Sequence, residues 1–274
     1  MASEGPHADR LSLIKQIACG CRKPDMTRKE YFDYHYQVHG SKSDAPSDNE
    51  IKPHKYIQTQ IFDSAFGPRR DGPPNANHHW CGRDDVTELW FRDLDHLQSV
   101  FKSDYVKQTV GPDGRFFADF ETTMVLLAEE KPLSLSTKLA EQRGTSSDSS
   151  DGAIALFFIS TPENERTGSK LEKELSPPLV KVLEDHATND VYNLLVNVGL
   201  LSDEFDLSAY FGGSSMPQYA LVYKMCMKQN SSVAAVRDAQ KAFEKLAADR
   251  VDTSESFIVF GKEALVLDVE NGIK

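Results

Sequence analysis

Cysteine is scarce in this 274-residue chain: four residues, Cys19, Cys21, Cys81 and Cys226, are too few for a disulfide scaffold. Cys19-Gly20-Cys21 is a C-x-C pair with no second thiol pair at zinc spacing, so strand packing accounts for it better than a metal. Long apolar runs are missing as well. None reaches the ~18 residues that a membrane helix needs, and Met1 to Arg10 lacks a hydrophobic signal-peptide core, so a cytoplasmic chain is expected. Positive charge is in deficit, with 31 Lys and Arg against 42 Asp and Glu and a formal net charge of −11. Such a chain repels a phosphate backbone, which excludes nucleic acid and anionic membrane as partners. There is no G-x-G-x-x-G after a strand, no P-loop and no G-x-S-x-G elbow, which argues against nucleotide-dependent and serine-hydrolase chemistry. No cradle for flavin or haem and no metal-ligand set is visible, so the expected cofactor is none.

What remains is ordinary globular composition, with 39% hydrophobic and 27% charged residues. The length allows one or two domains, and the pattern along the chain decides. Glu141 to Gly152, "EQRGTSSDSSDG", has no apolar residue and reads as a solvated linker between near-equal halves. Each half reads β-α-β-β-α-β, the ferredoxin-like unit. In the first, strands fall at about 11–21, 55–62, 84–91 and 120–129 and helices at about 27–39 and 93–103. In the second, strands fall at about 153–160, 190–198, 218–227 and 256–268 and helices at about 169–186 and 231–249. A four-stranded sheet with helices on one face must bury its other face, and the second half supplies the cover. The expected class is therefore α+β: two ferredoxin-like units packed sheet to sheet as an intrachain α/β barrel.

The first helix carries the most chemistry. Thr27-Arg28-Lys29-Glu30 is a capping box that fixes its start. At 100° per residue Tyr34, Val38, Tyr31, His35, His39 and Phe32 share one arc, opposite Lys29, Glu30, Asp33 and Gln37. A face that only had to pack would use Leu and Ile, so two imidazoles and two phenols point to a polar cavity. The alternative is a filled core in which His35 and His39 bond to carbonyls or carboxylates. The two are also four residues apart and could share a metal, but no third ligand is evident. His39, His35 and Tyr31 are the candidate acid–base groups. Phe32, Tyr34, His54 and Tyr56 are candidates for substrate contact. So are His78, His79 and Trp80, in the long loop "FGPRRDGPPNANHHWCG", where an exposed turn is the alternative. On the third strand Glu88 and Trp90, which share a face with Val86, are further candidates for substrate contact, since a carboxylate among apolar neighbours needs a raised pKa or a partner. An ion pair or a solvated position is the competing reading of Glu88.

Arg22–Gly40, "RKPDMTRKEYFDYHYQVHG", is similar to the opening of the EthD domain. That family has a strand ending in Arg-Lys-Pro, then Thr, a Glu, aromatic residues, and a His shortly before a loop. "DDVTELWFRDLDHLQSVFKSDYV" and "GRFFADFETTMVLLAEE" resemble its third strand, second helix and closing strand. His39 falls on the family's His and Phe32 and Tyr34 on its aromatics, while His35 stands where the family often has Trp. The resemblance implies an EthD-like unit with the ligand pocket at 11–131, a linker at 132–152 and a degenerate second unit at 153–268. It also implies the wider dimeric α/β-barrel group, with cofactor-independent decarboxylases, dehydratases, cyclases, isomerases and monooxygenases. Three functions follow: a lyase or cyclase using His and Tyr acid–base chemistry on a hydrophobic polyketide- or terpenoid-type molecule, a shape-driven pericyclase, or a non-catalytic binding or stress-type protein. Expected partners are a hydrophobic small molecule and, as one option, a second copy of the chain in a homodimer.

Overall fold

Alternating or continuously apolar segments form eight strands: β1 (Ile14–Arg22), β2 (Lys55–Phe66), β3 (Asp85–Phe91), β4 (Ala118–Leu133), β5 (Ala153–Ile159), β6 (Val191–Gly199), β7 (Leu221–Met227) and β8 (Phe257–Asp268). The computed structural model describes residues 13–73, 82–143, 152–203 and 205–272. The strands close into one antiparallel barrel in the order β1-β3-β2-β8-β5-β7-β6-β4. Within it β4-β1-β3-β2 and β8-β5-β7-β6 repeat one ferredoxin-like order, so the expected intrachain α/β barrel of two such halves is present.

The two half-sheets face each other across the interior and are also joined at both edges. One seam pairs β2 with β8 from Lys55↔Asp268 to Phe66↔Phe257, and the other pairs β4 with β6 from Ala128↔Gly199 to Leu133↔Leu194. Residues of both halves fill the interior, among them Ile17, Val86 and Leu126 of the first and Leu156, Phe158 and Val259 of the second. β5, "AIALFFI", is buried at every position, because one face meets this interior and the other meets helices. Near one part of the interior sits a group of charges. Lys15 and Glu88 are fully buried and ion-paired, Lys224 Nζ lies 2.8 Å from Glu88 Oε2, and Lys15 Nζ lies 4.4 Å from the centre of the Trp90 ring.

Helices cover the outside: α1 (Arg28–Asp33), α2 (Leu94–Lys102), α3 (Lys138–Arg143), α4 (Ser169–His186), α5 (Leu207–Phe211) and α6 (Val233–Leu246). In the second half Leu171, Leu175, Leu179 and Leu183 of α4 and Phe243 of α6 pack directly on Tyr223 and Met225 of the sheet, leaving a filled core. In the first half the filling is partial: Leu97, Val100 and Phe101 of α2 pack with Phe91 and Leu127 of the sheet, and an open space remains beside them. After α1 the chain continues as a π-helix over Tyr34–Gly40, and after α2 a second π-helix spans Val106–Val110. Three features depart from expectation. The stretch 132–152 is not all linker, since β4 runs to Leu133 and α3 follows. The helical turns from Val106 to Phe116 and helix α5 lie where loops were expected. Among the described residues no helix is long and apolar enough to cross a membrane.

Candidate active site

The capping box forms as the sequence predicts. Thr27 Oγ1 accepts from the Glu30 N–H at 3.2 Å, and Glu30 Oε2 accepts from the Thr27 N–H at 2.7 Å. The helix then widens to i→i+5 bonding at Tyr34, which winds less angle per residue than an α-helix. Val38, expected on the inward arc, is turned out and 38% exposed, while Tyr31, His35 and His39 stay together on the inner side. These three line a cavity of about 430 Å³ between the first helical segment and the outer faces of β1 and β3.

One part of the cavity wall is polar and closely bonded. Asp85, 3% exposed, accepts from the Tyr31 hydroxyl and, at 3.0 Å, from the Thr87 hydroxyl, and its Oδ2 lies 3.3 Å from His35 Nδ1. Tyr56 Oη lies 2.9 Å from His35 Nε2 and accepts from Gln58 Nε2 at 2.7 Å. The Gln58 amide occupies one lone pair of the Tyr56 oxygen, and His35 is held between the Tyr56 hydroxyl at Nε2 and the Asp85 carboxylate at Nδ1. Burial, helped by the Asp85 carboxylate, pushes the Tyr31 hydroxyl far above its ordinary value, and burial pushes Tyr56 up as well. Neither phenol is a ready acid.

His39 is differently placed. Its Nδ1 lies 2.9 Å from Oδ2 of Asp113, a carboxylate that also accepts from the Tyr34 hydroxyl at 2.9 Å and from Lys42 Nζ. Its Nε2 has no hydrogen-bond partner among the described residues. Burial, reinforced by neighbouring His35, pushes the imidazole down to about 4 despite Asp113, so at neutral pH Nε2 holds a free lone pair. The Phe117 ring lies 4.7 Å from that of His35 and 4.9 Å from that of His39, centre to centre. The rest of the cavity is mainly apolar, with Val100, Phe101, Val110, Phe120 and Phe211 contributing.

Of the residues singled out in the sequence, Tyr31, His35, His39 and Tyr56 meet at this cavity. Tyr34 stands behind it, on Asp113. Phe32, half-buried against Tyr31, is not part of the wall. His54 lies apart from it, its Nε2 3.9 Å from Glu270. Glu88 and Trp90 point into the barrel, because the pleat that turns Asp85, Thr87 and Leu89 to the cavity turns them away. Glu88 has partners rather than a raised pKa: burial pushes it up, but the Lys15 and Lys224 ammonium groups override this and hold it low. His78, His79 and Trp80 lie outside the described residues. Sequence reasoning missed Asp85, Asp113, Phe117, Tyr210 and Phe211. No three His, Cys, Asp or Glu are grouped to hold a metal among the described residues.

The barrel is similar to that of an anthrone oxidase-like protein, at 9% identity over 94% of this chain and 95% of the other, with a TM-score of 0.57. A chlorite dismutase from Candidatus Nitrospira defluvii in complex with imidazole aligns at 9% identity over 96% and 95% of the two chains, with a TM-score of 0.44. No curated protein matches the sequence. Residues 23–121 match the EthD domain, a span that takes in Tyr31, His35, His39, Tyr56, Asp85 and Asp113. The matched span carries most of the polar wall of the cavity, so this part of the first half is similar to an EthD domain.

Proposed function

We propose that the chain is a cofactor-independent lyase or cyclase in which His39 moves a proton on a hydrophobic, carbonyl-bearing molecule of polyketide or terpenoid type. The observation that carries this reading is His39 itself: a neutral imidazole with Nδ1 fixed on a buried carboxylate and Nε2 free in an apolar cavity. Nε2 takes a proton from the carbon next to the carbonyl, and Asp113 stabilises the imidazolium that results. The Tyr31 and Tyr56 hydroxyls are already committed to Asp85 and His35, so they orient the wall rather than donate to the substrate. One base then serves both steps. In a dehydration the C–H bond breaks toward Nε2, the C=C bond forms, and His39 returns its proton to the departing hydroxyl, which leaves as water.

A second reading has its own support. The aromatic lining suits a pericyclase that lowers the barrier by holding one reactive conformer. The anthrone oxidase-like neighbour suggests a probe that separates the two. Anthrone has an acidic CH₂ across the central ring from its ketone, conjugated to it through the two fused benzene rings, and its exchange in deuterated water under argon can be followed by NMR. The acid–base reading expects the protein to accelerate exchange and His39→Gln to remove about 10²–10⁴-fold of that rate. If His39→Gln exchanges as fast as the parent while Phe101→Ala does not, shape replaces acid–base chemistry.

A further inference from the structure

One part of the cavity wall comes from the other half of the barrel. Tyr210 and Phe211 end helix α5, in the connection between β6 and β7, yet both line the cavity of the first half. Three observations hold this connection in place. Leu207 is buried in the cluster that contains Val100 and Phe101. The Phe101 ring meets Phe205 at 5.0 Å, stacked, and Tyr210 at 4.7 Å, edge on. Gly212 and Gly213, at φ +84° and +73°, lie so close to β4 that an added Cβ would stand 2.5 Å from the Phe120 carbonyl oxygen and 1.8 Å from that of Thr123. Only glycine fits at these two positions, since a side chain would meet both a disfavoured φ and the strand backbone. The connection is thus latched to β4 directly after the two aromatic residues. Tyr210 is still 37% exposed, so its ring is not committed to core packing.

We infer that Tyr210 and Phe211 are the specificity-determining wall of the site, limiting the size of a flat, fused-ring ligand. Facing aromatic rings favour such a ligand through offset or edge contacts, each contributing about 0.5–1.5 kcal/mol. This inference rests on the cavity being the ligand site, but not on His39 being the base. It assigns the second half, whose own helix–sheet space is filled, a direct part in selecting the ligand.

Two fluorescent phenols of different size, 2-naphthol and 1-hydroxypyrene, test it by titration against the full chain. The parent is expected to prefer 2-naphthol. Tyr210→Ala with Phe211→Ala is expected to move the ratio of the two Kd values at least about tenfold toward 1-hydroxypyrene, the scale on which apolar pockets discriminate by size. Tyr210→Trp, which adds bulk without removing a contact, is expected to move the ratio the other way. Gly213→Ala keeps both rings but breaks the latch, and is expected to relax selection as the double variant does. The inference is overturned if the ratio stays fixed across these variants, if both Kd values change by one common factor, or if the parent binds neither phenol. His39→Gln should leave the ratio where it was. A ratio that shifts as expected while anthrone exchange ignores His39 would remove the acid–base reading and keep the wall.

Discussion

His39 Nδ1 stands 2.9 Å from Oδ2 of Asp113, a carboxylate that three side chains satisfy and that belongs to a turn 74 residues further along the chain. The pair fixes which nitrogen of the imidazole faces the cavity. Because burial and His35 depress His39 to about 4, the acid limb of kcat/KM should fall near pH 4 and not near the ordinary 6.5. The rate should be flat through neutrality. Asp113→Asn should lower kcat by removing the carboxylate that stabilises the imidazolium, with little change in KM. The pH–rate profile of anthrone exchange measures both. An acid limb near 6.5 would show that His39 is not the titrating base.

The same depressed value bears on stability. The folded state resists protonating His39, so this contribution is fully present above pH 6.5 and is lost as the pH falls from there toward 4. Urea midpoints measured from pH 7 to pH 4 should therefore fall less steeply for His39→Gln than for the parent.

The π-helix makes a sharper prediction, since Val38 is an exposed residue within it. Deleting Val38 should restore ordinary α-helical winding and still leave His39 on the inner side, since at 100° per residue it then falls about 20° from Tyr31, while Thr27 still caps the start. The circular dichroism spectrum and the exchange activity should both be retained. A folded but inactive deletion variant would mean that the wider winding is needed to place His39.

Glu88 is held by two ammonium groups in the barrel interior. Glu88→Gln leaves Lys15 and Lys224 facing one another with less compensation and should cost about 3–5 kcal/mol, read as a lower urea midpoint. Replacing the whole network together, Lys15→Met, Glu88→Leu and Lys224→Met with Glu130→Gln and Glu263→Gln at the outer partners of the two lysines, should be neutral or stabilising by up to about 4 kcal/mol. A five-site variant weaker than Glu88→Gln would contradict this account. Because Glu88 is held below its ordinary value, the stability it contributes is present above pH 4.5 and is lost as the pH falls below that.

Much of the architecture was legible because it rests on local rules. The Thr27–Glu30 box set the first helix, and continuous apolarity marked β5 as buried on both faces. The repeated order of elements implied that each half covers the other. The cavity wall was legible where one helix carried it, through Tyr31, His35 and His39, and at Tyr56 on β2. Glu88 and Trp90 were assigned to the wrong side because a period of two separates the faces of a strand without saying which face meets the helices. Asp113 lies in "GPDG", which reads as a turn, and nothing local reveals that its carboxylate returns to His39. The π-helix is invisible to a 100° wheel, which is why Val38 was placed inward. Tyr210 and Phe211 reach the cavity only through closure of the barrel, a long-range event with no local signature.

The unequal filling of the two halves has a thermodynamic meaning. The cavity of about 430 Å³ opens to solvent, so its lining forgoes the packing contacts that a filled core would gain. Two identical chains related by a twofold axis would have to forgo them twice, since whatever one copy leaves open its mate leaves open too. Joining the halves in one polypeptide lifts this constraint. Leucine and phenylalanine can fill one side completely while the other stays hollow, so the barrel tolerates one large cavity that a symmetric assembly would have to duplicate.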